Sequence, residues 1–196
     1  MVYLRSFIPW LAFAGVSAAG WQWGALAGLA LSVAVLVADR AGGLSLDYRV
    51  LEYGTIVFFA ALTVLAFARP DSGLKVYCGA LSMGWLAVVS WVSIAVRRPF
   101  TMAIARRMTP PEVWRTALFR RINVVLTAAW ALSFTLTAIA QTLISAYGLN
   151  PLFSIVIQAA GFVLPMRFTA TYPERAKARA LQGAGARPDL EGGLVS

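Results

Sequence analysis

The chain contains no histidine. Imidazole metal sites, histidine haem ligands, Ser-His-Asp triads and histidine proton relays are therefore excluded. Its one cysteine, Cys78, can form neither an internal disulfide nor a four-cysteine zinc or iron–sulfur site. P-loops and G-x-S-x-G nucleophile elbows are missing. So is an acidic cluster of the kind that holds Mg²⁺ in membrane phosphotransferases. The residues supply no catalytic set, no metal ligands and no site for a cofactor. Charge is scarce as well: 13% of residues are Asp, Glu, Lys or Arg, against about 25% in ordinary soluble domains.

The sequence is rich in apolar surface. Of its 196 residues 60% are hydrophobic, and the mean hydropathy is +0.73. Soluble domains run at about 45–50% apolar, so this composition predicts an integral membrane protein, all-α, built as a polytopic helix bundle. A formal charge of +9 and a pI of 10.6 would suit nucleic acid. Here the charges flank apolar runs, where they orient a membrane protein, and no nucleic-acid partner is expected.

A helix needs about 20 mostly apolar residues to cross a bilayer. The first apolar block, Phe7 to Ala38, is too long for one helix and breaks at Gly20-Trp21-Gln22-Trp23-Gly24. It predicts two helices, 6–19 and 22–38. The first is short and carries Pro9, so the pair reads either as two spans or as a short hairpin. The tryptophans at the break suit a membrane interface. Spans at 50–67, 75–96, 122–145 and 152–166 follow. They are separated by Asp39-Arg40-Ala41-Gly42-Gly43, by Arg69-Pro70-Asp71-Ser72-Gly73, by a basic segment 97–121, and by Tyr147-Gly148-Leu149-Asn150-Pro151. The expectation is six spans in a transmembrane domain 1–166, then a tail 167–196 rich in Gly, Ala, Pro and charge. The tail is expected to be helical from Pro173 to Leu181 and disordered at its end. Arg5 and the small residues near Ala19 resemble a signal peptide, but Pro9 and the immediate second apolar segment argue against cleavage.

Arg69 and Lys75 fall in connectors on one side of this layout. Arg5, Arg40, Arg49, the seven arginines of 97–121 and the five basic residues of the tail share the other. The positive-inside rule assigns the richer side to the cytoplasm, and both termini with it.

Within 97–121, Phe100, Ala103, Ile104 and Arg107 recur at helical spacing and predict a short interfacial helix. Thr109 followed by Glu112 reads as a capping box with Pro110 at the first helical position. A second helix is expected to start there, with Val113, Ala117 and Leu118 on one face and Trp114 beside them. Seven arginines against the single Glu112 favour phosphate-bearing headgroups, which guanidinium forks grip bidentately. The segment reads either as a connector that fixes topology or as a surface for docking lipid or a protein partner. The docking residues would be Arg97, Arg98, Arg106, Arg107, Trp114, Arg120 and Arg121.

The fifth span has a polar and aromatic face: Asn123, Thr127, Trp130, Phe134, Thr137, Gln141 and Ser145. Ser82, Ser90, Ser93 and Arg97 lie on a comparable face of the fourth, and Gln158 and Gly161 are in the sixth. Polar groups in lipid must find partners, so these faces should point inward. Ser90, Ser93, Asn123, Thr127, Gln141 and Gln158 then serve either as glue between helices or as the lining of a substrate cavity. Asp47, Arg49 and Glu52 cluster where the third span begins. They read as an interfacial charge cluster with Arg49 and Glu52 paired, or, in a functional reading, place Glu52 as an acid–base group or cation ligand. Ala12, Gly15 and Ala19, and Gly20, Gly24 and Gly28, have small-xxx-small spacing, which serves packing or a docking groove.

The run Ser93-Ile94-Ala95-Val96-Arg97-Arg98-Pro99-Phe100-Thr101, then Ala105-Arg106, Trp114, Phe119-Arg120-Arg121-Ile122-Asn123 and Thr127-Ala128-Ala129-Trp130, resembles small bacterial inner-membrane proteins of the intracellular septation protein A type. The likeness covers about residues 85–145. It implies a multi-pass protein of the cell envelope, linked to septation and membrane integrity, with partners in division and wall synthesis and no known catalytic residues. The reading that follows is a non-enzymatic scaffold or accessory subunit that docks anionic lipids, a membrane-protein partner or its own copies. In size and helix number the chain is also similar to the substrate-binding membrane subunits of energy-coupling vitamin transporters. That likeness would turn Ala12, Gly15 and Ala19 toward a partner and place a solute on the polar faces of spans four to six. An enzyme acting on lipids ranks third, for want of a catalytic set.

Overall fold

The computed structural model describes residues 8–41 and 50–185, and every regular element among them is helical. The α-helices are α1 (Ile8–Val16), α2 (Trp21–Ala41), α3 (Val50–Ala68), α4 (Cys78–Ala95), α5 (Phe100–Arg106), α6 (Ala117–Ala146) and α7 (Pro151–Gly185). Short 3₁₀ turns stand at Ser17–Ala19, Gly73–Tyr77 and Pro111–Val113. Five elements are long and apolar enough to cross a membrane: α2, α3, α4 with its preceding turn, α6 and α7. The first of the six expected spans, 6–19, is short of a full crossing. Ile8–Ala19 reaches about 18 Å at 1.5 Å per residue, against a hydrocarbon core of about 30 Å. The expectations about Arg5, Asp47, Arg49 and the end of the tail fall outside the described residues.

The α1–α2 hairpin turns at Gly20, whose φ of 136° lies in a region that side chains avoid. The glycines that follow are packing surface. A Cβ at Gly24 would run into the Ser17 hydroxyl and sit 3.0 Å from the Phe13 carbonyl, and one at Gly28 would sit 2.6 Å from the Phe59 ring. Gly24 thus admits α1 and Gly28 admits α3. Trp10 completes this corner, with ring centroids 5.1 Å from Phe58 and 4.8 Å from Phe59. Trp21 Nε1 donates to the Pro70 carbonyl at 2.9 Å, tying the hairpin to the α3–α4 turn.

The helices pack in series. The most extensive pairs are α4 with α6, α6 with α7, α1 with α2, and α2 with α3, whereas α3 meets α4 over a much smaller surface. That smaller contact depends on Gly54, where Trp85 Nε1 donates to the carbonyl at 2.8 Å and an added Cβ would lie 2.7 Å from Val89. Packed chiefly on α6, α7 is the least buried of the spans.

Two sequence expectations are corrected. No α-helix begins at Thr109-Pro110, only the 3₁₀ turn Pro111–Val113. Pro110 is extended (φ −67°, ψ 151°) because Pro111 follows it and disfavours the helical region. Thr109 instead donates to the Ala105 carbonyl at 2.9 Å and finishes the preceding turn. The helix α6 starts at Ala117 with Thr116 as its cap, whose hydroxyl accepts from Phe119 N at 3.2 Å. Val113 therefore lies outside the helix that carries Ala117 and Leu118. The second concerns where the tail helix begins: residues 173–181 are helical as expected, but as part of α7, which runs unbroken from Pro151 to Gly185 through both Pro165 and Pro173.

Candidate functional site

The basic end of the bundle is built from the exit of α4 downward. Arg98 N donates to Ser93 O at 2.8 Å and Arg97 N to Ile94 O at 2.9 Å, which is the Schellman closure of a helix. Its left-handed position, usually glycine, is here Arg97, with φ 59°. Pro99 then prevents helix continuation and starts α5. Arg97 and Arg98, at this turn, are both exposed. The backbone of Phe100 is anchored inward, its N–H donating to Ser93 Oγ at 3.2 Å.

The helix α5 lies against α6. Phe100, Thr101, Met102 and Ile104 are buried, and Thr101 forms the link. Its hydroxyl donates to the Asn123 carbonyl at 2.9 Å and lies 2.8 Å from the Thr127 hydroxyl. Thr101 has one hydrogen and gives it to Asn123, so Thr127 donates to Thr101. Asn123 Nδ2 donates to Phe119 O at 2.8 Å, and its Oδ1 is buried without a partner. Ser90 and Ser93 donate to Leu86 O and Ser90 O at 2.6 and 2.7 Å. Near the opposite end, Gln141 Nε2 donates to Ser154 O and to Gln158 Oε1, both at 3.0 Å. The expected polar faces therefore point inward in two separate groups, except at Arg97, which is exposed, and their hydrogen-bonding groups are largely spent on backbone and on one another.

Of the expected docking residues, Arg97, Arg98, Arg120 and Arg121 are exposed, while Arg106, Arg107 and Trp114 are half-buried. Arg106 lies over the Trp114 ring at 5.1 Å, a cation–π contact. Trp114 Nε1 donates to Thr109 O and Oγ1 at 3.1 and 3.2 Å. Arg106 and Trp114 thus hold the 106–114 loop together.

Sequence reading passed over three features. Thr101 lay within a segment read for its arginines. The pairing of Trp130 Nε1 with Thr169 Oγ1, at 3.0 Å, joins residues assigned to a span and to the tail. Ser133 donates to the Gly161 carbonyl at 2.9 Å. The signal for the last was present: Pro165, four residues after Gly161, has no N–H to offer that carbonyl.

A small cleft of about 10 Å³ between α1, α2 and α3, lined by Pro9, Ser32, Val35, Glu52 and Thr55, has room for about one water. Among the described residues, no three His, Cys, Asp or Glu side chains gather where a metal could bind. On α1 and the 3₁₀ turn after it, Gly15 and Ala19 are exposed and Ala12 is half-buried, and a Cβ at Gly15 would meet nothing within 4 Å. No family model matches the chain, and no characterised protein or solved structure gives a significant match.

Proposed function

We propose that the chain is a non-enzymatic multi-pass protein of the bacterial cytoplasmic (inner) membrane, with both termini in the cytoplasm. On this reading it is a scaffold or accessory subunit of the cell envelope, docking partners or anionic lipids through the arginines of 97–121. One contrast carries the reading. The polar side chains of α4, α6 and α7 are largely spent on their own helices' carbonyls and on neighbouring helices, while Arg97, Arg98, Arg120 and Arg121 are exposed. A protein built to receive a solute would keep polar groups turned to a cavity. A protein built to be received keeps them on its surface. The likeness to septation protein A-type proteins supports a place in the envelope.

The test is extraction in a mild detergent at native abundance, with mass spectrometry of what co-purifies. Stoichiometric division, wall-synthesis or other membrane proteins support the reading and name the process. A reporter fused after Ser196 should be active only in the cytoplasm, and periplasmic activity overturns the orientation. A second reading, the solute-binding subunit of a transporter, draws on the open surface over Gly15 on α1. An ATPase pair or a retained small molecule in the same purification would favour it.

A further inference from the structure

The continuity of α7 changes what its basic residues can do. Measured from Pro151, a hydrocarbon core of about 30 Å ends after about 20 residues, near residue 171. With the edge of the core set at Pro151, Arg167 falls about one turn inside the hydrocarbon, and Arg175 and Arg179 fall at headgroup level and just beyond it. All three are exposed, as is Thr171 between them. They repeat every fourth residue, so they form one slowly winding row on the helix. The opposite side of α7 is occupied by α6: Gly161, Pro165 and Thr169 are buried, and Thr169 is fixed by Trp130 at 3.0 Å. The row consequently faces away from the bundle. Phe168 and Tyr172 flank it as a stacked pair with centroids 5.0 Å apart, as suits the boundary layer. Thr171 gives its hydrogen to Arg167 O at 3.2 Å, leaving the arginines as the donors of the row. Glu174, also exposed, stands two turns from Arg167.

We infer that the row Arg167–Arg175–Arg179 on the free face of α7 is a binding surface for the headgroup phosphates of anionic phospholipids in the adjoining leaflet. Depth selects this occupant. An arginine one turn inside the hydrocarbon stretches its stem outward along the helix and presents its guanidinium to the phosphate layer. The guanidinium is thus delivered at the level of the lipid phosphates, beneath the outer surface that a soluble acidic protein would meet. Two further arginines up the same row extend the contact across the headgroup layer, where each is worth about 1 kcal/mol near an anionic surface. The inference goes beyond the docking role given to 97–121, since none of these residues belongs to that segment.

The experiment uses the full chain in mild detergent and native mass spectrometry. It compares retention of phosphatidylglycerol with that of phosphatidylcholine of the same acyl chains. The wild type should retain phosphatidylglycerol several-fold in preference. Arg167→Gln with Arg175→Gln should bring the ratio close to parity, Lys substitutions at the same two positions should keep part of the preference, and Lys177→Gln should leave it unchanged. Thermal unfolding of each variant separates lost binding from lost fold. An unchanged ratio in the double Gln variant overturns the inference. Loss of preference only in Arg97→Gln with Arg98→Gln also overturns it, and leaves the docking role of 97–121 standing. Loss only in the α7 variant supports the inference and weakens that role. Displacement of the lipid by millimolar inorganic phosphate would mean a site for free anions, and would likewise overturn the lipid assignment.

Discussion

Ser133 of α6 supplies Gly161 of α7 with a hydrogen bond that α7 cannot make for itself. Pro165 has no N–H, and the carbonyl four residues before it would stand bare in a low-dielectric interior. The same glycine is where α6 comes closest, for a Cβ there would collide with the Thr137 hydroxyl. Close approach and the proline defect thus meet at one residue, where Thr137 packs and Ser133 supplies the missing donor.

The effect is measurable as a coupling. Side-chain hydrogen bonds in bilayers average about 0.6 kcal/mol and reach about 1.7, so Ser133→Ala should cost about 1 kcal/mol in reversible unfolding from mixed micelles. In a Pro165→Ala background the helix provides its own N–H, and the cost of Ser133→Ala should fall toward zero. Equal costs in both backgrounds would refute the compensation.

Arg97 occupies a backbone conformation made for glycine. Left-handed geometry costs a side-chain-bearing residue about 1–2 kcal/mol. Arg97→Gly should therefore stabilise the protein by about 1 kcal/mol, while Arg97→Ala should not. If Arg97 also docks anionic lipid, the glycine variant will be more stable and bind phosphatidylglycerol vesicles less. Stability and docking would then move in opposite directions in one protein. Failure of the glycine variant to gain stability would count against the closure described for α4.

Glycine substitutions on α1 and α2 should divide by what they meet. Gly28 lies beneath Phe59, which is fully buried and has nowhere to go. Overpacking of this kind typically costs about 1–3 kcal/mol, and Gly28→Ala should fall in that range. Gly15→Ala meets open space and should be neutral or stabilising by about 0.5–1 kcal/mol through helix propensity. Thermal unfolding of the two single variants decides it, and similar losses in both would contradict the packing.

Thr101→Val removes the donor to Asn123 O and the acceptor for Thr127 in one step. The expected cost is about 1 kcal/mol, concentrated where α5 meets α6. Hydrogen exchange should rise across residues 100–107 and change little across α7. A uniform rise over the chain would instead mean that α5 is not separately anchored.

The spans were legible because lipid demands long apolar runs, and residues 50–67 and 22–38 differ from α3 and α2 by only a few residues. The polar face of α6 was legible for a related reason. Asn123, Thr127, Trp130, Phe134, Thr137 and Gln141 repeat at helical spacing, and all are buried. Helix boundaries governed by competing local signals were not legible. Thr109 and Glu112 fit a capping box, but the second of two consecutive prolines forces the first into extended backbone, a restriction the box pattern does not encode. The end of α7 was lost for the opposite reason. Charge and proline after residue 166 read as the end of a span, whereas Trp130, Ser133 and the exposed outer face allow the helix to continue. Which side of Gln141 or Ser93 would meet another polar group depended on the register of neighbouring helices, and no single helix contains that information.

The membrane elements differ in length. The 19 residues of α3 span about 28 Å, the 30 of α6 about 45 Å and the 35 of α7 about 52 Å. Only α3 is limited to about the thickness of the hydrocarbon; α6 and α7 extend past their apolar stretches with Arg120, Arg121 and the basic turns after Arg167. Mismatch costs fractions of a kcal/mol per ångström, so lipid thickness acts on this molecule as a mechanical input. A thicker bilayer leaves α3 short and forces local thinning on that flank. It also draws more of α7 beneath the surface, carrying Arg167 deeper and changing how far its side chain must stretch to reach water.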